Sequence, residues 1–326
     1  MADRISSLPD EVLGYILSFL SSKLSVSTSI FSKSDAAFSG TVQHLDLHLD
    51  FSICIDMSYD LFYCKTLRVL KLHSVTLWVF SSADLPLLKV LHLCSIKIFD
   101  GNHVHQILSA CLNVEDLKIE DVYIPVFGGY EDINQFKRLP NLLRAVIDKN
   151  VVPLEVVGNV QFLSLNIKAY EKINEPIPTF HHLTQLEVRS NFYNHLNPTI
   201  HWHDVFEVVK HCLKLRNLSI DVGSFQSPPS IDDCAFLRCV PRSISMNLKT
   251  CILNKYTGAH WELEFAKYIM ENAKFLKDMV ICSDTNKEVN KLDTIKELSL
   301  CSKLSPACNL SFTTFEDVYL FMFFNF

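Results

Sequence analysis

A spaced leucine phrase, repeated along the chain, is the sequence feature that most restricts the fold. The phrase reads Leu-x-Leu-x-x-(Val or Ile)-x-(Leu or Ile), and it occurs within residues 66–77, 86–98 and 117–124. Its first residues alternate between apolar and other side chains, as in a strand that buries one face. One such strand cannot form a core, so the phrases are expected to stack on one another.

The first leucine of the phrase, which we call the anchor, can be followed along most of the chain. The anchors are Leu45, Leu70, Leu91, Leu117, Ala145, Leu163, Leu186, Leu218, Cys251 and Met279. Their mean spacing of 26 residues lies within the roughly 20 to 29 residues of leucine-rich repeats. The phrase resembles that family, which implies an α/β fold: an irregular, horseshoe-shaped solenoid over residues 41–232. The pattern is also compatible with an ordinary α/β domain whose strands are rich in leucine.

The chain departs from the repeat family at one position. Many leucine-rich repeat proteins place a buried asparagine after the strand, whereas the first three phrases carry Val75, Ile96 and Val122 there. Only Asn150 and Asn191 match the asparagine position. We therefore expect a patchy asparagine ladder between repeats.

The composition limits the classes of function. A chain of 326 residues with 48% hydrophobic residues can bury a large core. Its formal net charge of -6 argues against a broad nucleic-acid surface. Residues 1–10 lack a signal-peptide pattern, and the 11 cysteines fit reduced thiols. We expect a protein of the cytoplasm or nucleus, without nucleic acid or membrane as a partner.

The N-terminal residues predict a short helical module. Ser7 is a candidate N-cap and Pro9 suits the first turn, and apolar residues then follow at helical spacing. Residues 1–34, and Leu8-Pro9 and Ile16-Leu17 in particular, resemble the start of a plant F-box. That family docks on the SKP-type adaptor of an SCF ubiquitin ligase. The resemblance implies an adaptor-binding set of Leu8, Pro9, Val12, Ile16, Leu17, Leu20, Leu24 and Val26.

The resemblance to the F-box stops early. Family members continue with a basic third helix that carries tryptophan, whereas residues 35–40 of this chain lead directly into the first repeat. We therefore predict a truncated F-box. Because buried aromatic anchors dominate many interfaces, the loss implies a cost of roughly several kcal/mol in adaptor binding. An N-terminal cap of the solenoid is the alternative interpretation of these helices.

The pattern changes character after about residue 232. Gly258 indicates a turn, apolar spacing from Trp261 to Leu276 predicts a helix, and residues 278–281 predict a strand. Residues 233–312 resemble the FBD module that ends many plant F-box proteins, which implies a C-terminal cap. The matching positions are Pro241, Leu248, Gly258, Glu262, Phe265, Tyr268, Asn272, Leu276 and Met279.

An apolar tail, residues 313–326, ends the chain with VYLFMFFNF. It is shorter than the about 20 residues that span a bilayer. It is interpreted either as a last strand or as a product of altered gene structure.

Side chains between the buried strand positions are expected to line a wet, concave face that binds a protein substrate. The candidates are Lys71, His92, Lys118, Ser164, Glu187 and Ser219. No glycine-rich phosphate loop, GxSxG elbow or HExxH motif occurs in the sequence. Histidines are frequent between residues 181 and 211, but no cysteine or carboxylate accompanies them at a recognised zinc spacing. The sequence therefore predicts no metal, no cofactor and no catalytic residues.

These resemblances imply a non-catalytic, substrate-recognition subunit of an SCF-type, cullin-based ubiquitin ligase. The N-terminal helices would bind the SKP-type adaptor and through it the cullin, and the repeats would bind a protein substrate. The alternative is a protein-interaction scaffold, or a degenerate F-box protein, that no longer binds the adaptor.

Overall fold

The computed structural model describes residues 42–48, 59–77, 82–98, 102–124, 136–167, 176–189, 202–222, 239–283 and 291–314. The chain divides into two compact units, Met1–Val156 and Val157–Phe326. The F-box-like residues 1–34, with every predicted adaptor contact, lie outside the described residues, and so do residues 315–326.

The first unit contains a parallel sheet whose strands follow one another in chain order. Its strands are β1 (His44–His48), β2 (Val69–His73), β4 (Val90–Cys94), β6 (Asp116–Glu120) and β7 (Arg144–Asp148). A small second sheet pairs β3 (Thr76–Leu77) with β5 (Lys97–Ile98), also in parallel. The return segments include helix α1 (Asn102–Ala110) and two 3-10 helices, Tyr59–Tyr63 and Leu154–Val157.

The second unit repeats this arrangement. Its parallel strands are β8 (Phe162–Asn166), β9 (Gln185–Arg189), β10 (Asn217–Asp221), β11 (Thr250–Tyr256), β12 (Asp278–Ser283) and β13 (Asn309–Thr314). The helices that connect them are α2 (Trp202–Lys210), α3 (Arg242–Asn247), α4 (His260–Asn272) and α5 (Lys291–Leu300). Parallel neighbours require a crossover, which these return segments supply.

The predicted anchors are confirmed. Each of the ten is the second residue of a strand, and each is at most 2% exposed. Anchors pair with anchors in the strand register, as Leu70 does with Leu91 in the first unit and Leu186 with Leu218 in the second. Leu310 in β13 lies opposite Met279 in the same register, although it is only half-buried. The fold is therefore α/β, built on parallel strands, and is compatible with a leucine-rich repeat.

A recurring hydrogen-bond arrangement fixes the strand register at the N-terminal ends of the strands. Two consecutive backbone N–H groups donate to one carbonyl of the preceding repeat. Arg68 and Val69 donate to Gln43 O at 2.7 and 3.0 Å, and Lys277 and Asp278 donate to Lys249 O at 2.7 and 3.1 Å. Because a slip of one residue would move the anchors out of the core, this register and the leucine pattern support each other.

The turns that follow β2, β4 and β6 share a left-handed residue four positions after the anchor. Ser74, Ser95 and Asp121 have φ values of 56°, 53° and 58°. The Ser74 N–H donates to Cys94 O at 3.0 Å, and the Ser95 N–H donates to Glu120 O at 3.0 Å. A left-handed conformation of a residue other than glycine costs about 1–3 kcal/mol. The hydrogen bonds from these turns to the neighbouring repeat help to offset that cost.

The side chain of Asp148 accepts the hydrogen bonds of the turn that follows β6. Its Oδ2 atom accepts hydrogen bonds from the backbone N–H groups of Asp121 at 2.9 Å and of Val122 at 3.4 Å. Ser95 Oγ in turn donates to Asp121 Oδ2 at 2.9 Å. The Asp148 carboxylate is fully buried, so it serves the turn and not a surface.

Asparagine side chains bridge repeats before the strands, and not after them as the sequence suggested. Asn113 Nδ2 donates to Pro86 O at 2.9 Å, and Asn247 Nδ2 donates to Leu213 O at 2.8 Å. Asn141 Nδ2 continues the contact to Asn113 Oδ1 at 3.1 Å. The Oδ1 atom of Asn150 is buried and accepts no hydrogen bond, so it does not act as an acceptor in the predicted ladder. Asn191 lies outside the described residues.

Candidate functional site

The side of each sheet opposite the anchors is here called the open face. In the first unit it carries His44, Asp46, His48, Val69, Lys71, His73, Val90, His92, Cys94, Asp116, Lys118, Glu120, Arg144, Val146 and Asp148. Strands β1, β2 and β6 alternate strictly between buried anchor-side residues and open-face residues that solvent reaches. This part of the face therefore presents polar side chains to solvent.

Three of the predicted substrate contacts form one row across this sheet. The strand register places Asp46 beside Lys71, Lys71 beside His92, and His92 beside Lys118. Lys71, His92 and Lys118 are all partly exposed. The structure thus brings these predicted residues together on a single face, as the phrase implied.

Carboxylates lie beside two members of this row. The His92 Nε2 atom lies 3.4 Å from Asp116 Oδ1, and Lys118 Nζ lies 3.1 Å from Glu120 Oε2. A partly exposed ion pair such as Lys118–Glu120 contributes at most about 1 kcal/mol to stability. The two carboxylates influence the orientation of the neighbouring His92 and Lys118 side chains more than they stabilise the sheet.

A pair of imidazoles occupies the next row of the same face. The rings of His48 and His73 stack with centroids 4.9 Å apart and an interplanar angle of 23°. Burial lowers the pKa of His73, and the neighbouring His48 and Lys118 lower it further, while Asp46 acts in the opposite direction. His73 therefore disfavours a proton in the unbound protein.

The open face of the second unit is different, and here the sequence interpretation needs correction. The register does place Ser164 beside Glu187 and Glu187 beside Ser219. However, Ser164 is only 1% exposed and Ser219 only 7%, so neither lies on a wet surface. Both faces of strands β8, β10, β11 and β12 are largely buried, whereas the spacing argument assumed one solvated face.

Side chains on this covered face contact one another. Asn254 Nδ2 donates to Ser219 Oγ at 2.9 Å, and Lys255 Nζ lies 2.7 Å from Asp221 Oδ2. Farther along, Ile252, Val280 and Cys282 form a buried apolar cluster. A substrate cannot reach these groups without displacing what covers them, which leaves Glu187 as the partly exposed member of the predicted trio.

A buried carboxylate organises the loop between β11 and α4. Glu262 accepts hydrogen bonds from the backbone N–H groups of Thr257 at 2.8 Å, Gly258 at 2.9 Å and Ala259 at 3.2 Å, and from Thr257 Oγ1 at 2.9 Å. Burial raises the pKa of Glu262, and these four donors oppose that effect. Gly258 has a φ of 83°, a conformation that favours glycine. The predicted turn at Gly258 is therefore confirmed, with Glu262 as its fixed centre.

The predicted helix of this region is confirmed except at its end. Helix α4 stops at Asn272, and Leu276 lies beyond it in a tight turn where its N–H donates to Ala273 O at 3.3 Å. Leu276 is nonetheless fully buried, because the turn returns the chain to the core before β12. Periodicity alone could not separate a last helical turn from this buried loop.

Aromatic side chains attach α4 to α2, the return helix that comes before β10. The Phe206 ring contacts the rings of Phe265 and Tyr268 edge-on, with both centroid distances at 5.8 Å. Burial raises the pKa of Tyr268 well above its usual range. These three residues thus form a core contact between repeats, which suits a structural role for the predicted family positions Phe265 and Tyr268.

Three buried cysteines, Cys94, Cys111 and Cys212, lack the activated thiol of a nucleophile. Burial raises the pKa of Cys94 to about 11 and that of Cys111 to about 12, and it raises the pKa of Cys212 further. A raised thiol pKa leaves little thiolate at neutral pH. Within the described ranges, no group of three histidine, cysteine or acidic residues could hold a metal ion. Among the helices that the structure describes, none combines the length and apolar character needed to cross a bilayer.

The C-terminal region matches a known family model. The FBD model matches residues 237–281, which span α3, β11, α4 and the start of β12. The match includes the Glu262 loop and the aromatic contacts of α4. Parallel strands with buried anchors, together with this match, are compatible with a leucine-rich repeat protein that contains an FBD region.

Relatives of similar build occur in Arabidopsis thaliana. An FBD-associated F-box protein is 25% identical, over 95% of this chain and 100% of the relative. A probable FBD-associated F-box protein is 24% identical, over 95% of this chain and 97% of the relative. An F-box/FBD/LRR-repeat protein is 22% identical over 78% of this chain and 68% of the relative. The chain is thus similar, over most of its length, to plant proteins named for an F-box, an FBD region and leucine-rich repeats.

Proposed function

We propose that this protein is a substrate-recognition subunit of an SCF-type ubiquitin ligase. In this proposal the N-terminal helices bind an SKP-type adaptor, and through it the cullin, while the open face of the first unit binds a protein substrate. The chain carries no catalytic step of its own. The other subunits of the ligase transfer ubiquitin.

The observation that carries the proposal is the alignment with an F-box relative across 95% of this chain and the whole of that relative. The sequence likeness to the F-box in residues 1–34 agrees with it. The proposed physical role is to raise the effective concentration of the substrate near the ubiquitin-loaded enzyme. A tethered substrate presents its lysines to the ubiquitin-loaded enzyme at a far higher local concentration than a free one does.

The first unit supplies the surface that this role needs. Lys71, His92 and Lys118 stand in one row on consecutive strands and are reached by solvent. Rigid strands that present polar side chains are suited to recognition, because little conformational freedom is lost on binding. The buried face of the second unit supports a structural role for the FBD domain, with the substrate contacts concentrated on the first unit.

Copurification with an adaptor tests the proposal. The full chain is coexpressed with a plant SKP-type adaptor, alone and as the Ile16→Asp and Leu20→Asp variants. We expect the wild type to retain the adaptor and both variants to lose it, because an aspartate in an apolar helix interface leaves a buried, unpaired charge. Leu300→Asp is the matched control, since Leu300 is 87% exposed and lies far along the chain in α5.

The competing function is an interaction scaffold that no longer binds the adaptor. The early start of the repeats favours it: β1 already begins at His44, which limits the space for a third F-box helix. Equal adaptor recovery for the wild type and both aspartate variants would contradict the ligase proposal and support the scaffold.

A further inference from the structure

We propose that residues 318–323 dock on the outer edge of strand β13 as an antiparallel strand and so close the sheet of the second unit. This segment reads Val-Tyr-Leu-Phe-Met-Phe, follows β13 closely and lies outside the described residues. Its docking is independent of the proposed ligase role and follows from the backbone and the burial of β13.

The inner face of β13 is incompletely covered. In β8 to β12, the anchor and the residue two positions after it are at most 2% exposed. The same positions in β13 are Leu310 and Phe312, and both are only half-buried. In the sheet order of the described residues, β13 is also the last strand. The end of the sheet therefore leaves apolar surface that a further strand would cover.

The backbone of β13 presents its outer hydrogen-bonding groups at the same two residues. The Asn309 N–H donates to Lys277 O at 2.7 Å, on the side of β12. Successive residues of a strand direct their N–H and C=O groups alternately to the two sides of the ladder. Leu310 and Phe312 therefore direct theirs away from β12, to the outer edge. An edge of this kind is a template for pairing with another strand.

Residues 318–323 have the composition of a strand that is covered on both faces. All six are apolar or aromatic, and valine, tyrosine and phenylalanine are enriched in strands. A continuous apolar run of about four to eight residues, bounded by turn residues, is typical of such a strand. Glu316 and Asp317 precede the run, and aspartate tolerates the left-handed conformation that hairpin loops use.

The short connection fixes the direction of the docked strand. Only residues 315–317 separate the end of β13 from the apolar segment. A parallel neighbour needs a crossover of about a dozen or more residues, whereas a loop of about three residues is a common hairpin connection. The segment can therefore pair with β13 as the second strand of a hairpin and not as another repeat.

The same loop fixes the register. With residues 315–317 as the loop, Leu320 lies opposite Phe312 and Met322 lies opposite Leu310. Both are hydrogen-bonded pairs, because Phe312 and Leu310 direct their backbone groups to the edge. Residues that lie directly opposite each other share a face of the sheet. Leu320 and Met322 therefore cover the two inner-face side chains that the described strands leave half-buried.

The tether favours this segment over a second copy of the chain. A segment joined by a short loop acts at an effective concentration of about millimolar. A second copy that offered its own β13 to the same edge would compete at the far lower concentration of the free protein. The hairpin thus protects the edge from pairing between molecules.

A designed disulfide tests the pairing in the full chain. Ser311 and Phe321 would face each other at a non-hydrogen-bonded position, where Cα atoms lie about 4.5 Å apart, within the range of disulfides. We expect the variant with Ser311→Cys and Phe321→Cys to form an intramolecular disulfide on mild oxidation, identified by peptide mapping. The matched control combines Ser311→Cys with Leu320→Cys. It should cross-link at least about tenfold less, because neighbouring residues of a strand point to opposite faces.

Hydrogen exchange, measured residue by residue, tests the backbone pairing. The N–H groups of Leu310 and Phe312 donate to the docked strand in this arrangement. Leu320→Pro removes an N–H that points to β13, so it should speed their exchange by at least about tenfold. Phe321→Pro is the matched control, because the N–H of residue 321 points away from β13, where an edge strand tolerates proline. The N–H of Ser311 faces β12 and should change little in either variant.

Three results would overturn the inference. Equal cross-linking of the two cysteine variants, or none, would exclude the register. A disulfide found only between two molecules would assign the edge to a second copy. Equal exchange rates of Leu310 and Phe312 in the wild type and Leu320→Pro would show that no strand pairs there. Both proline variants alter only the docked segment, so the described sheet is expected to fold in each, which circular dichroism checks.

Discussion

The Glu262 loop gives the sharpest prediction about stability. Glu262→Ala removes the acceptor of three backbone N–H groups, at Thr257, Gly258 and Ala259, and of one hydroxyl. Each lost hydrogen bond is worth about 1 kcal/mol net, and relief of the buried carboxylate offsets part of the sum. We therefore expect the free energy of unfolding to fall by about 2 kcal/mol.

Equilibrium denaturation in urea, followed by circular dichroism, measures this loss. Glu264→Ala is the matched control, because Glu264 lies two residues away on the same helix, is 42% exposed and pairs with Lys267 in an i,i+3 contact. The control should change the free energy of unfolding by less than about 0.5 kcal/mol. If the two variants were equally stable, the loop would not depend on Glu262 and this account of the FBD domain would be wrong.

Three further predictions concern the core, the turn and the pH dependence of stability. Leu91→Ala should destabilise the protein by about 2–5 kcal/mol in the same denaturation assay. Leu87→Ala, at a position that is 46% exposed, should cost less than about 1 kcal/mol. Similar losses for the two variants would contradict the anchor assignment. Gly258→Ala should cost about 1–2 kcal/mol because of the φ of 83°, and an unchanged midpoint would show that the turn relaxes. The pKa of Glu262 is raised in the folded protein, so the folded state binds this proton more tightly than the unfolded state does. The stability that Glu262 confers should therefore decrease as the pH rises from the ordinary pKa of 4.5 through the folded pKa. The difference in unfolding free energy between wild type and Glu262→Gln, measured at several pH values, should show that decrease, and a difference that grows with pH would contradict it.

The backbone of the repeats could be predicted from the sequence because one physical rule governs it. A strand that buries a single face must place its apolar residues alternately, and an anchor that leaves the core costs several kcal/mol. Leu45, Leu70 and Leu91 therefore identify their strands without any other information, and even Ala145 and Cys251 could be recognised from spacing. Leu310 occupies the anchor position of β13 by register but is only half-buried, and the sequence was interpreted there only as part of the FBD-like cap.

Exposure of the open face could not be predicted in the same way. Ser164 and Ser219 occupy the positions of Lys71 and His92 in other repeats, yet they are buried. Alternation shows which residues share a face, but it does not show whether another part of the chain covers that face. The serines, small and uncharged, were a weak signal of burial beside the charged residues of the first unit.

Contacts between repeats were missed for a related reason. The Asp148 carboxylate and the His48–His73 stack depend on which turn lies beside which, and that follows only from the register. Once the anchors are aligned, His48 and His73 both fall three positions after an anchor, so the alignment contained the signal. The asparagine bridges of Asn113 and Asn247 lie four positions before an anchor and could have been found in the same way.

The most direct test of the central claim is the affinity of the purified full chain for an SKP-type adaptor, measured by isothermal titration calorimetry. The account predicts saturable binding by the wild type, loss of binding by Ile16→Asp, and unchanged binding by Lys71→Glu, because the adaptor and the substrate use different parts of the chain. Absence of binding by the wild type, or equal binding by Ile16→Asp, would contradict the claim that this protein recruits substrates to a ubiquitin ligase.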